Sequence, residues 1–166
     1  MTNLVSFINA IGLEPIFIVD PLNGFNRREF ISVQQEWENI NLGNEEVRTA
    51  YHNFAVRLAK DFQPEYLGLA SEINTYMDTQ PEDIDNFLSL YNETYEEIKS
   101  ISPNTKILVT FQWDDLNRLD GDGSLYDVKW DQMEMFEPNL DIWAISTYLY
   151  FSSIEQVIFQ KLIIHL

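Results

Sequence analysis

The chain has 166 residues, of which 45% are hydrophobic and 14% are aromatic, a composition sufficient for one substantial core. Its 27 acidic and 10 basic residues give a formal charge of -17, which opposes binding to phosphate backbones and to anionic lipid headgroups. We therefore expect no nucleic-acid partner and no membrane partner. The absence of cysteine excludes disulfides, thiolate catalysis and cysteine-ligated zinc, but it leaves the compartment open.

The first residues carry no targeting signal. Met1–Phe7 has neither a basic n-region nor a cleavage site. No apolar stretch of the chain approaches the roughly 20 residues that cross a membrane as a helix. We expect a chain without a signal peptide or a transmembrane helix, and these residues do not predict its localisation.

The first third of the chain predicts a helix, a strand and a second helix. A helical stretch from Leu4 to Ile11, with Gly12 as its stop, precedes Pro15–Val19. This unbroken apolar run is typical of a strand that is buried on both faces, and Asp20 ends it. After a long polar segment, apolar residues at helical spacing predict a helix from about Glu45 to Lys60.

The segment from Tyr66 to Asn74 carries the strongest functional signal. A short apolar run of strand length ends abruptly in Glu72, and an amide, Asn74, follows two residues later. Carboxylates are rarely buried without a partner, so a glutamate at the carboxyl end of a buried strand favours a polar site at a barrel mouth. The alternative is a strand-end glutamate that forms a salt bridge with a neighbour, and the segment alone leaves both interpretations open.

One helix and two strands are predicted in the second half. A capping box with proline at the first helical position, Thr79-Gln80-Pro81-Glu82, begins a helix that continues to Ile98. Lys106–Phe111 and Asp141–Ser146 are apolar runs that predict the third and fourth strands. Polar and aromatic residues again gather where these strands end, at Gln112-Trp113 and at Thr147–Tyr150.

Alternating strands and helices predict an α/β fold with a parallel sheet. Strand starts near positions 15, 66, 106 and 141 suit the units of a (β/α)8 TIM barrel, but a complete barrel typically needs about 250 residues. We therefore expect an incomplete barrel of about four parallel strands, forming one partial domain over residues 1–166. The tail, residues 152–166, is unlike a natural domain end. The edge strands of an incomplete barrel are unpaired on one side, and such open sheet edges favour self-association.

Three segments resemble a known enzyme family. The runs Gly68–Asn74, Lys106–Val109 and Asp141–Tyr148 resemble the middle of a clan A glycoside hydrolase, and most of all the arabinogalactan endo-β-1,4-galactanase family. The resemblance covers roughly Leu13 to Phe151, as strands three to six of the barrel. It implies a retaining hydrolase of β-linked polysaccharide that uses no cofactor, binds oligo- or polysaccharide, and has secreted full-length relatives.

The resemblance also implies roles for particular residues. Glu72 would be the general acid/base, and Tyr148 would be the strand-six tyrosine that hydrogen-bonds the nucleophile. The sequence departs from the family at two positions, since Ser71 replaces the usual asparagine and Leu149 the usual proline. A retaining glycosidase needs two carboxyls about 5 to 5.5 Å apart. The family's nucleophile is a glutamate on strand seven, beyond this chain, so we expect the chain alone to be inactive.

Further residues are candidates for substrate binding because they follow predicted strands. An exposed indole stacks on sugar rings and an amide bonds hydroxyls, as pockets with apolar walls and few polar groups require. An ordinary Asp-Pro turn is the alternative for the aspartate among them. The candidates are Asp20, Ser71, Asn74, Gln112, Trp113 and Tyr150.

No metal site is predicted. The acidic run Asp120-Gly121-Asp122-Gly123 lacks the sixth-position glycine and twelfth-position glutamate of a calcium-binding EF-hand. The two histidines, His52 and His165, are not spaced as a metal pair or as a triad base.

Two functional alternatives remain open at this stage. One is a non-catalytic carbohydrate-binding or self-associating half-barrel that completes its sheet with a second copy. The other is an unrelated barrel enzyme that uses Glu72 as a base in carbonyl or sugar-phosphate chemistry. The negative charge and the lack of a glycine-rich phosphate loop disfavour phosphorylated substrates.

Overall fold

The computed structural model describes residues 2–30, 40–116 and 128–147. Helices and strands alternate along these residues. In chain order they are α1 (Thr2–Ala10), β1 (Ile16–Ile18), α2 (Glu45–Phe62), β2 (Tyr66–Ala70), α3 (Ile73–Thr79), a 3-10 turn (Pro81–Asp83), α4 (Ile84–Ile101), β3 (Lys106–Gln112), α5 (Trp113–Leu116), α6 (Trp130–Glu134) and β4 (Ile142–Ser146). No helix in these ranges is long and apolar enough to cross a membrane.

The four strands form one parallel sheet in the order β1-β2-β3-β4. Each strand therefore pairs with the strand that follows it along the chain, as successive βαβ units require. The predicted α/β class with a four-stranded parallel sheet is confirmed. The carboxyl ends of all four strands lie at one edge of the sheet, because parallel strands run in one direction.

The predicted elements differ from the structure mainly at their ends. β1 is only three residues long and begins after Pro15, which has no backbone N–H to donate to the ladder. The predicted helix from Pro81 is divided into the 3-10 turn and α4. Two short helices that directly follow strands, α3 and α5, lack the length for a periodic pattern and were not predicted.

The core lies on the face of the sheet that α2 and α4 cover. Alternate residues of the two central strands are fully buried there, namely Leu67, Leu69, Ile107, Val109 and Phe111. At one side of this layer, the Phe17 ring lies 5.2 Å from that of Phe62 in α2. At the other side, Phe111 packs edge-on against Phe136, which also contacts Tyr91 of α4. Aromatic packing thus joins the sheet to its helices.

The opposite face of the sheet is less covered. Ile18, Gly68 and Leu108 lie side by side in the strand register, and a Cβ on Gly68 would stand 3.1 Å from both neighbouring side chains. Glycine therefore allows this close packing across the central strands. At the edge, Ile16 is 57% exposed and Ile18 is 45% exposed.

The last described strand also exposes apolar side chains. Trp143 and Ile145 of β4 are about half exposed, and they lie on the helix-covered face, beyond α4. Within the described part of the chain, β1 and β4 each pair on one side only. The predicted tail, 152–166, and the acidic run 120–123 lie outside the described residues.

Candidate functional site

Four strand ends bring polar side chains to one edge of the sheet. Asp20 follows β1, Glu72 follows β2, Thr110 lies near the end of β3, and Ser146 is the last residue of β4. In α/β folds with parallel strands, ligands bind outside these carboxyl ends. This edge is therefore the candidate site.

Glu72 lies at its centre and is buried, with 7% of its surface exposed. It is the second of two residues between β2 and α3, and it adopts left-handed backbone angles, with φ 52° and ψ 43°. Its backbone N–H donates to Thr110 Oγ1 at 2.8 Å. A non-glycine residue in this region costs on the order of 1–3 kcal/mol and is seen where surrounding contacts hold it in place.

Both oxygens of the Glu72 carboxylate accept hydrogen bonds from other elements. Ser146 Oγ donates to Oε1 at 2.6 Å, and Arg27 Nε donates to Oε2 at 3.2 Å. Glu72 thus forms a salt bridge, as one interpretation of the sequence expected, and the contact lies at the edge of the sheet where the strands end. The contacts fix the direction of the carboxylate from two sides of the site.

Arg27 joins two carboxylates. Its Nη1 donates to Asp20 Oδ2, while its Nε contacts Glu72. Asp20 Oδ1 also accepts the backbone N–H of Leu22 at 3.1 Å. Asp20 therefore belongs both to the turn after β1 and to the site, and we refer to Asp20, Arg27, Glu72 and Ser146 as the carboxylate cluster.

Burial raises the pKa of Asp20 above 3.8, and the negative charge of Glu72 acts in the same direction. The Leu22 N–H and the Arg27 guanidinium oppose this rise, because both stabilise the charged carboxylate. Asp20 is thus a partly desolvated acid whose charge is held by one guanidinium and one backbone donor.

Ser71 lies beside the cluster. Its hydroxyl accepts a long hydrogen bond, 3.4 Å, from Thr110 Oγ1. Thr110 is therefore a link between the backbone of Glu72 and the Ser71 side chain. Ser71 stands where the resembled family has an asparagine, and within the described part of the chain its short side chain contacts Thr110.

Asn74 and Gln112 bind each other within the protein. The fully buried Asn74 amide donates to the Gln112 carbonyl at 2.9 Å and accepts the Gln112 N–H at 2.8 Å. The Gln112 side chain in turn bonds Asp114 at 2.7 Å and the Asp115 N–H at 2.6 Å. These contacts join α3 to the end of β3, and the Gln112 side chain also binds the first turn of α5. A sugar would therefore have to displace an existing contact to reach either amide.

Of the three aromatic candidates, one is buried and two lie outside the described residues. Trp113 begins α5 and is only 8% exposed, so its indole presents little surface for stacking. Tyr148 and Tyr150 lie outside the described residues. The preceding residue, Thr147, has a buried hydroxyl without a hydrogen-bond partner in the described part of the chain.

Sequence reasoning missed three contributors to the site: Arg27, Thr110 and Ser146. Thr110 was recognisable in the sequence, because it is the one polar residue within the apolar run Ile107–Phe111. Ser146 was recognisable too, as the polar residue that ends an apolar strand. No sequence pattern marked Arg27, because its position depends on the fold of a polar loop.

The cluster is not arranged for a metal ion. Among the residues that the structure describes, no group of three or more His, Cys, Asp or Glu side chains is placed to bind a metal. A guanidinium already lies between Asp20 and Glu72. The arrangement suits proton transfer and hydrogen bonding by a carboxylate whose orientation is fixed.

No protein-family model and no curated protein matches this sequence.

Proposed function

We propose that this chain is part of a (β/α)8 glycoside hydrolase of the galactanase type, in which Glu72 is the general acid/base for hydrolysis of β-linked polysaccharide. One observation carries the proposal. Glu72 is buried at the carboxyl end of a central parallel strand, and side chains from other strand ends and loops hold its carboxylate. Catalytic groups of barrel enzymes occupy this position.

The barrel is supported by the sheet itself. Its four parallel strands follow chain order, and helices cover one face, as in consecutive units of a (β/α)8 barrel. Further strands beside β1 and β4 would cover the half-exposed Ile16 and Ile18 and complete the hydrogen bonding of both edges.

The chemistry assigns Glu72 two steps. It first donates a proton to the glycosidic oxygen while a second carboxylate attacks the anomeric carbon and displaces the leaving sugar. It then removes a proton from the water that cleaves the glycosyl-enzyme intermediate and regenerates the second carboxylate. Arg27 and Ser146 each hold one oxygen of the Glu72 carboxylate, and Ser146 keeps Oε1 directed across the sheet.

The second carboxylate comes from another part of the barrel in this proposal. Asp20 is a poor choice for a nucleophile, because the Arg27 guanidinium lies between its carboxylate and Glu72, where the anomeric carbon would have to lie. In the resembled family this role belongs to a glutamate on strand seven. We therefore expect the 166-residue chain to bind β-1,4-linked galacto-oligosaccharides without hydrolysing them.

Binding is tested first, by calorimetric titration of the 166-residue chain with β-1,4-galactotetraose. Glu72→Gln should weaken binding, because the amide cannot accept from Arg27 and Ser146 as the carboxylate does. Glu96→Gln is the matched control, since Glu96 is an exposed carboxylate on α4. If the oligosaccharide does not bind, or binds equally well after Glu72→Gln, the proposal fails.

The acid/base role is tested in a version of the barrel that includes the remaining strands. Glu72→Ala should abolish hydrolysis of the polysaccharide but spare attack on an aryl β-galactoside whose leaving group needs no proton. Azide should then restore turnover by attacking the intermediate and forming a β-galactosyl azide, since it needs no general base. Failure of azide to form this product would contradict the assignment.

A non-catalytic, self-associating half-barrel is the second candidate. It is favoured by the apolar side chains that both edge strands expose, Ile16 and Ile18 on β1 and Trp143 and Ile145 on β4. A second copy would pair with the strand edges that β1 and β4 leave unpaired within the described part of the chain. In this case the chain would form a discrete dimer.

A further inference from the structure

The loop after β1 places one side chain, Arg27, in the carboxylate cluster and exposes another, Phe25. This segment, residues 22–30, is called the rim loop here. Its two ends meet in an antiparallel bridge between Leu22 and Phe30. Leu22 is buried, and the Phe30 ring packs edge-on against Tyr76 of α3 at 6.3 Å. The base of the rim loop is therefore anchored to the protein beside the site.

Hydrogen bonds within the rim loop fix its shape. The Asn23 N–H donates to the Glu29 carbonyl at 2.8 Å, and the Asn23 carbonyl accepts the Arg27 N–H at 2.8 Å. The Asn23 and Asn26 amides both donate to Glu29 Oε1, and Asn23 Oδ1 accepts the Phe25 N–H at 3.0 Å. The backbone that carries Phe25 is thus held by the same contacts that hold Arg27.

Phe25 and Arg27 are directed differently. Arg27, at φ 53°, extends inward to Asp20 and Glu72, with 16% of its side chain exposed. Phe25 is fully exposed, with no burial of its ring by the described chain. Two residues span at most about 7 Å, so the Cα atom of Phe25 lies within about 7 Å of the Cα atom of Arg27, the residue that contacts Glu72.

We propose that Phe25 is a stacking platform for a sugar ring of the bound polysaccharide, at a subsite outside the position of bond cleavage. This inference rests on the proposed function. A pyranose ring has a face of C–H groups, and an exposed phenyl ring offers it a flat apolar surface. Single exposed apolar side chains are common on proteins. What distinguishes Phe25 is its place on an internally bonded loop that also contacts the acid/base residue.

The inference predicts that the contribution of Phe25 depends on the length of the ligand. A short oligosaccharide at Glu72 would not reach the rim, whereas a longer one would stack on the ring. Phe25→Ala should therefore weaken binding of β-1,4-galactohexaose by about tenfold and leave galactobiose unchanged. Phe25→Trp, which retains an aromatic face, should restore binding of the hexaose.

Calorimetric titration of the 166-residue chain with galactobiose, galactotetraose and galactohexaose checks this. Phe54→Ala is the matched control, because Phe54 is an exposed phenylalanine on the outer helix α2. The thermal transition of Phe25→Ala should match that of the wild type, since the side chain packs against nothing in the described chain.

The outcomes separate the two proposals. If the wild type binds none of the three oligosaccharides, the proposed function itself is wrong. If binding depends on Glu72 but Phe25→Ala and Phe54→Ala behave alike with every ligand, the proposed function stands and the stacking platform is overturned. An equal loss with galactobiose and galactohexaose would also overturn it, because a rim subsite cannot affect a ligand that does not reach it.

Discussion

The Ser146 hydroxyl donates to Glu72 Oε1 at 2.6 Å. Glu72 follows β2 and Ser146 ends β4, and β3 lies between these two strands in the sheet. The contact therefore passes over the end of β3, where Thr110 binds the Glu72 N–H. The ends of β3 and β4 thus both bind Glu72, β3 at its backbone N–H and β4 at its carboxylate. This arrangement fixes Glu72 more closely than a single salt bridge from a loop would.

Removal of the Ser146 hydroxyl should loosen the site. A hydrogen bond to a charged group contributes roughly 1.5–3 kcal/mol, so Ser146→Ala should lower the free energy of unfolding by about 1–2 kcal/mol. Ser146→Thr, which keeps a hydroxyl, should recover part of this loss. Urea denaturation measures both, with Ser100→Ala as control, because Ser100 is exposed on α4 and donates to a helix carbonyl. Equal stability of Ser146→Ala and Ser100→Ala would contradict the role of this contact.

Loss of Arg27 should cost more than loss of a surface arginine. Arg27→Met would leave Asp20 and Glu72 as neighbouring, mostly buried carboxylates without their guanidinium, and removing one partner of a buried pair costs roughly 3–5 kcal/mol. Asp20→Asn in the same chain should recover part of the loss by removing one negative charge. Arg57, an exposed arginine paired with Asp61, supplies the control. Arg57→Met should change the free energy of unfolding by less than about 1 kcal/mol. Similar losses for the two arginine variants would refute the prediction.

The two central strands were predictable because burial leaves runs of mostly apolar residues, whereas β1, predicted to be buried on both faces, exposes Ile16 and Ile18 at the sheet edge. Tyr66–Ala70 and Lys106–Gln112 are such runs, and the abrupt change to Glu72 after the first marks the site edge. The helices α2 and α4 were predictable from their apolar faces, since each is 18 residues long and has room for several turns of the pattern.

The partners of Glu72 were not predictable in the same way. Arg27 reaches the site only because the rim loop folds back through the bridge between Leu22 and Phe30, a contact between residues that no local pattern relates. Asn74 was predicted to bind substrate. In the structure, both ends of its amide bind the backbone of Gln112. Periodicity identifies strand ends, whereas tertiary contacts decide which side chains stay accessible.

The raised pKa of Asp20 predicts how its contribution to stability changes with pH. Burial raises the folded-state pKa above 3.8, so the folded protein binds this proton more readily than the unfolded chain. The stability that follows from this preference is present below pH 3.8 and is lost as the pH rises through the folded-state pKa. Asparagine at this position does not titrate. The free energy of unfolding of the wild type minus that of Asp20→Asn should therefore fall with rising pH and then become constant.

Urea denaturation at intervals between about pH 3 and pH 7 gives this difference, in which the carboxylates remote from Asp20 cancel because both proteins carry them. An increase of the difference with rising pH would show the opposite sign and would mean that Arg27 and Leu22 outweigh the desolvation of Asp20.

The exposed apolar residues of the edge strands predict how the chain associates. A net charge of -17 on each copy opposes association, and salt screens this repulsion, so the dimer fraction should increase between low and high ionic strength. Ile18→Glu and Trp143→Glu each place a charge on an edge strand and should abolish the dimer. Phe54→Glu, on the exposed side of α2, should not.

Sedimentation velocity measures these populations. A wild type that remains monomeric at all salt concentrations would exclude the self-associating half-barrel and leave the edges to other parts of a complete barrel. A dimer that survives both edge substitutions would place the interface elsewhere on the surface. Loss of the dimer together with unchanged binding of galactotetraose would separate association from the carbohydrate site at Glu72.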